Sequence, residues 1–184
     1  MDLVIRNARS DQNGDRMEVG IKDGVIAAVA EDSLPAGDQE IDAGGGMLSP
    51  AFAEAHFHLE NALIWDGALN HSGTLEEAID VYAEIKKDMP IDDIVKRASI
   101  ALRMAIGNGV QWFRSHVDID RVGQLRLLQG NVAVRERFQD LIDLQLIAFP
   151  QMGMARDQEV IDLMWQAMDQ GADVVGGMPH AEKN

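Results

Sequence analysis

Two histidines one residue apart, His56 and His58, close an apolar run that reads Ala55-His56-Phe57-His58-Leu59-Glu60. On a strand, side chains at i and i+2 share a face, so both imidazoles can reach one ion while Phe57 points the other way. Imidazole nitrogen suits zinc and iron alike. The triplet alone is a weak signal, and its position after a buried strand strengthens it. Three further polar clusters follow apolar runs: Arg114-Ser115-His116-Val117-Asp118, Phe149-Pro150-Gln151-Met152-Gly153 and Gly177-Met178-Pro179-His180. Each has a plainer alternative. His116 can be a histidine satisfied by a neighbouring loop, Gln151 a turn cap after Pro150, and His180 a structural or rim residue.

These residues need elements to carry them. The first fifty residues read as β, with strands at Leu3-Val4-Ile5, Met17 to Lys22, Val25 to Val29 and Gln39 to Asp42. Asp23-Gly24 suits a tight hairpin turn because it tolerates positive φ. Gly44-Gly45-Gly46 reads as a hinge, dividing residues 1–46, part of a small β unit, from residues 47–184. Beyond it strands and helices alternate. An apolar run from Met47 to His58 is followed by a loop to about Gly73. Thr74 with Glu77 predicts a capped helix to about Asp88, and Pro90 resets the chain. Apolar residues from Ile91 to Ala105 repeat at helical spacing until Gly107-Asn108-Gly109. Strands are predicted over Val110 to Asp118, Leu141 to Phe149 and Ala172 to Met178, with helices over Arg121 to Phe138 and Asp157 to Gln170. Short, doubly apolar strands alternating with helices indicate a parallel sheet. Four βα units fit the first half of a (β/α)8 TIM-type barrel or an open doubly wound sheet. In a barrel the polar strand ends converge on one mouth.

Composition narrows the partners. With 16 basic and 31 acidic residues the formal charge is −15, against nucleic acid or an anionic membrane as partner. The 184 residues contain no cysteine, which removes thiolate metal sites and disulfides and suits a reducing cytoplasm. It also excludes the base-flipping zinc deaminases, which need paired cysteines. No secretory signal or membrane span is legible, so a soluble, cytoplasmic protein is expected.

The segment from Pro50 to Glu60 resembles the first-strand signature of the amidohydrolase superfamily. Asn70-His71-Ser72-Gly73-Thr74-Leu75, Arg114 to Asp118, Ile147 to Gln151 and Ala172 to His180 resemble its cytosine deaminase branch, in the same order. The resemblance implies a small β-sandwich domain followed by a (β/α)8 barrel with one divalent ion, Fe or Zn. It implies His56 and His58 as metal ligands and Gln151 as the residue that hydrogen-bonds a pyrimidine-like ring, with His116 and His180 as possible site-lining residues. It also implies a small aminated heterocycle as substrate and hydrolysis of a non-peptide C–N bond. Ala51, Ala53 and Glu60 depart from the usual residues, and His71 is given no role. No lysine ends the fourth strand, Lys183 falling beyond it, which favours a single metal.

A barrel of this type needs ~250 residues, so the chain is expected to be an N-terminal portion. The remaining ligands and the proton-shuttle carboxylate are expected beyond Asn184, and the isolated chain is expected to be inactive. Open strand edges would favour self-association. The rival readings are a cyclic-amide amidohydrolase and, outside enzymes, a half-barrel assembly or binding module.

Overall fold

The computed structural model describes residues 1–64 and 69–182, which form two compact units, Met1–Pro50 and Ala51–Asn184. In the first unit, β1 (Leu3–Ser10) pairs antiparallel with β2 (Arg16–Lys22), which pairs with β3 (Val25–Ala30). Asp23 and Gly24 both take positive φ, 52° and 75°, as the tight hairpin turn requires. The other edge of β1 receives β4 (Gln39–Asp42) and then β5 (Met47–Leu48), both parallel. The glycine run therefore folds as a turn inside this sheet, with Gly44 and Gly45 at positive φ, and Met47-Leu48 pairs with β1 instead of opening the histidine strand.

The second unit contains a four-stranded parallel sheet in sequential order, β6 (Phe52–Phe57), β7 (Val110–Asp118), β8 (Asp143–Phe149) and β9 (Val174–Val175). Its helices are α1 (Leu75–Lys86), α2 (Ile91–Gly107), α3 (Arg126–Phe138) and α4 (Gln158–Asp169). Thr74 caps α1 by accepting from the Glu77 N–H at 3.3 Å. The Glu77 carboxylate does not return to Thr74; it accepts from the backbone of His71 and Ser72 instead. Asp157 caps α4 through Val160 N–H at 3.2 Å.

Alternate residues of β7 and β8 separate the two faces of this sheet. Phe113, Val117, Leu144, Leu146 and Ala148 are buried in one core with Ile94, Leu102, Leu128, Val134 and Met164 of the helices. On the opposite face Trp112 is 49% exposed and Arg114 is exposed, hydrogen-bonded to Gln145 at 2.7 Å. A doubly wound sheet covers both faces with helices; a barrel wall covers one. The helices here lie on one face, so the barrel alternative is the one adopted.

Several expected boundaries shift for local reasons. Helix α3 starts at Arg126, since Asp120 Oδ1 accepts from Val122 and Gly123 N–H at 2.9 and 2.8 Å and holds a turn there. Strand β8 starts at Asp143 because Leu141 and Ile142 still donate back to Phe138 O. Only Val174 and Val175 pair in the last strand, which Gly176 and Gly177 and then Pro179 bring to an end. Strand β6, expected to be buried, is a half-covered edge with Phe52 60% exposed, having a neighbour on one side only.

The close crossing of α2 and α3 relies on Gly130, where an added Cβ would stand 2.6 Å from Ile94 Cγ2. A Gly130→Ala variant gains about 1 kcal/mol of helix propensity but overpacks a rigid contact, which costs about 1–3 kcal/mol. The expected result is a lower denaturant midpoint, partly recovered in Gly130→Ala/Ile94→Val.

Candidate metal centre

The pairing of β6 with β7 is interrupted where it matters. Glu54 faces Phe113 and Phe57 faces Ser115, so β6 spends three residues where β7 spends two. This bulge turns the strand and frees the His56 N–H, which the Glu54 carboxylate accepts at 3.0 Å. Phe57 packs edge-on against Phe113 on the helix side, with ring centroids 5.3 Å apart. Its two neighbours therefore project from the other face, and the i, i+2 argument holds for the histidine pair although alternation fails upstream.

His56 and His58 lie with ring centroids 5.5 Å apart. His116, from the end of β7, stacks on His56 at 4.1 Å and is 5.9 Å from His58. Phe149, at the end of β8, meets His58 and His116 edge-on at 5.8 and 5.4 Å. Three imidazoles from two adjacent strand ends thus share one spot with an aromatic wall. Among the described residues, His116 Nδ1 is buried without a hydrogen-bond partner. Burial, together with the neighbouring His56 and His58, pushes His116 down to about 4, which leaves it neutral at physiological pH with a free lone pair.

Behind His58 stands a buried charged group. His58 Nδ1 lies 3.7 Å from Glu60 Oε1 and 4.0 Å from Asp118 Oδ1. His58, Glu60 and Asp118 each offer a ligand atom, all within 4.8 Å of one another. Glu60 Oε1 accepts from Asp118 N–H at 3.2 Å, and Asp118 Oδ2 accepts from Lys86 Nζ at 3.0 Å. Lys86 also bonds the Asp120 carboxylate. Burial pulls His58 down, but Glu60 and Asp118 outweigh it and hold the imidazole above its usual value. Burial and then Glu60 push Asp118 up to about 6, against the pull of Lys86.

The turn after His58 is fixed by two further groups. Leu59 N–H donates to Ser115 Oγ at 3.0 Å, and Ser115 Oγ donates to Asn131 Oδ1 at 3.3 Å. Arg97 Nη1 donates to the carbonyls of Glu60 and Ala62 at 2.8 and 2.6 Å.

The other expected site residues fall differently. Gln151 follows β8 in a turn closed by backbone alone, Gln151 N–H to Phe149 O at 3.0 Å and Gly153 N–H to Pro150 O at 2.9 Å. Its side chain does not cap that turn. His180 is exposed in the short helical turn Pro179–Ala181 and makes no ring contact with the three clustered imidazoles. Lys183 lies outside the described residues. Sequence reasoning missed Glu60, Asp118 and Lys86 as a group. The first two were visible as polar residues at strand ends, whereas Lys86 sits on a helix 32 positions before Asp118 and gave no local signal.

A one-sided parallel βα unit with imidazoles converging at the C-terminal strand ends defines the class: the first part of a (β/α)8-type barrel with a candidate metal site. No protein-family model matches the chain. It is similar in fold to a crystal structure of 5-methylcytosine deaminase from Klebsiella pneumoniae liganded with 5-fluorocytosine, at 36% identity and TM-score 0.88, covering 98% of this chain and 44% of that one. Among curated relatives, N-isopropylammelide isopropyl amidohydrolase of Pseudomonas sp. (strain ADP) is 28% identical over 99% of this chain and 46% of its own length. Pterin deaminase of Rhizobium rhizogenes is 30% identical over 89% of this chain and 38% of its own length. These relatives and structural neighbours are amidohydrolase-family deaminases, and the fold of this chain is that of the N-terminal portion of their barrel. It spans less than half the length of these relatives. Among the described residues, no helix is long and apolar enough to cross a membrane.

Ser115 is fully buried, and Ser115→Ala would leave the Leu59 N–H without its acceptor beside His58. An orphaned buried donor costs about 1–3 kcal/mol, so a fall of that size in unfolding free energy is expected from urea titration.

Proposed function

We propose that this chain is the metal-binding portion of a hydrolase that deaminates a small aminated ring of the cytosine, triazine or pterin kind. The observation that carries this reading is the convergence of His56, His58 and His116 at one end of the parallel sheet, with centroid separations from 4.1 to 5.9 Å. In this reading His56 and His58 hold one divalent cation, Fe or Zn. The donor set supports that fit: three imidazoles, whose nitrogens zinc and iron both accept as ligands, crowd together at one end of the sheet. Such a cation, when bound, supplies Lewis acidity and an activated water at neutral pH.

The chain's own residues then have distinct tasks. His116 lines the site as a neutral imidazole beside the ligands. Phe149 covers the edges of His58 and His116. Gln151, just beyond Phe149, pairs with the amide-like edge of the ring, and a mismatched ring leaves buried polar groups unpaired. Proton transfer between water and the leaving amine needs a free carboxylate. Glu60 and Asp118 do not serve, since both are buried behind His58 and bonded elsewhere.

Two outcomes are expected. Titrated with Co²⁺, the purified chain should bind one equivalent, and His56→Ala/His58→Ala should lose it; equal binding by both proteins would refute the metal reading. Incubated with cytosine or aminotriazines, the 184-residue chain alone should release no ammonia above the blank. Turnover at enzymatic rates would show that a carboxylate of this chain performs the proton transfer.

A further inference from the structure

We infer that Lys86, Asp118 and Glu60 form a positioning assembly that turns the His58 imidazole so that Nδ1–H faces the two carboxylates and Nε2 is presented to a cation. The inference deepens the metal-site reading above and rests on it for the identity of the ligand. It begins from two buried atoms that lack partners, His58 Nδ1 and Asp118 Oδ1, which stand 4.0 Å apart. Each such orphan is costly, and packing does not account for their facing one another. Glu60 Oε1 lies closer still, 3.7 Å from the same nitrogen.

Both carboxylates are held from behind. Glu60, with no exposed surface, is aimed by the Asp118 N–H and by Asn131 Nδ2 at 3.5 Å. Asp118 is aimed by Lys86, whose ammonium also bonds Asp120 and lies 5.0 Å from the centroid of the Tyr82 ring. Lys86 is 2% exposed, at the last residue of α1. Its ammonium already balances Asp118 through Oδ2 at 3.0 Å, which favours a cluster that serves the imidazole over one that holds a metal of its own. A ligating histidine is oriented by the partner of its other nitrogen, and losing that partner weakens metal affinity by about 10–100-fold. When a cation draws electron density from Nε2, the Nδ1–H becomes a stronger donor and the 3.7–4.0 Å gap has reason to close.

The test uses the full chain and two readouts. In Lys86→Met/Asp118→Asn the cation and one anion leave together, while Asp120 and Glu60 stay buried without the ammonium, so folding is established before either readout. Far-UV circular dichroism and cooperative unfolding establish folding. The expected results are a 10–100-fold loss of Co²⁺ affinity and, in the metal-free protein, ¹⁵N imidazole spectra in which His58 changes from the Nδ1–H tautomer to a mixture containing Nε2–H. A folded double variant with wild-type affinity and an unchanged tautomer would overturn the inference and reduce Lys86 to a structural role. Should the double variant not fold, Asp118→Asn, isosteric and still able to accept from Lys86, is judged by the same two readouts. If the wild-type chain binds Co²⁺ no better than His58→Ala, the metal reading fails. The tautomer spectra of the metal-free protein then decide the positioning claim by themselves.

Discussion

Burying Glu60 and Asp118 beside each other is the constraint that organises this end of the molecule. An ionised carboxylate removed from water without a partner is strongly unfavourable, and two facing the same space are worse. Among the described residues, the ammonium that meets them is Lys86, paired with Asp118 and Asp120. The requirement fixes more than a side chain. Tyr82 and Lys86 are the buried residues of α1, so the charged contact seats that helix where apolar packing contributes little. Glu60 in turn connects Asp118 and Asn131 with the turn that follows His58. A shift of α1, β7 or α3 would strand a charge or an amide, and His58 would move with it.

The same field has a chemical consequence. Carboxylates that favour a proton on His58 also favour any other positive charge at that imidazole, because both respond to the same potential. Burial and then the neighbouring His56 and His58 act on His116, and its proton affinity falls instead. Two histidines from neighbouring strands are therefore driven apart in character by their surroundings. One is drawn toward positive charge, and the other is kept neutral at the wall. Separating the behaviour of like groups by environment is how one pocket can both bind a cation and tolerate a polar ring.

Much of this was legible in the sequence, and what was hidden follows a pattern. The helix before the His116 strand announced itself through its apolar period between Pro90 and the glycines at 107 and 109. The histidine pair was legible because i, i+2 spacing on a strand is a purely local property. The bulge at Glu54 was not, since it depends on register with a strand more than fifty residues away. Exposure of β6 and β9 was hidden for the same reason: apolar composition reports what a segment can bury, and neighbours decide what it does bury. Lys86 was the least legible of all. A lysine near the end of a helix ordinarily reads as a favourable partner for the helix dipole facing solvent, and only the three-dimensional approach of β7 turns it inward.

Burial also changes along the sheet in a direction that bears on chemistry. On the face away from the helices, Trp112 is 49% exposed at the start of β7, while Asp118 at its end is 2% exposed. Charge–charge interactions strengthen as water is excluded, so an identical set of groups placed near Trp112 would interact only weakly. Glu60 and Asp118 are dry because Phe149, the turn at Leu59 and the end of α1 cover them, and those covers are held by Ser115, Arg97 and Lys86. The helix-facing core supplies the rigidity, and the polar contacts at one edge decide where that rigidity is useful. The histidines and the groups that tune them are accordingly gathered at the one end of the sheet where a buried charge can act on its neighbours at close range.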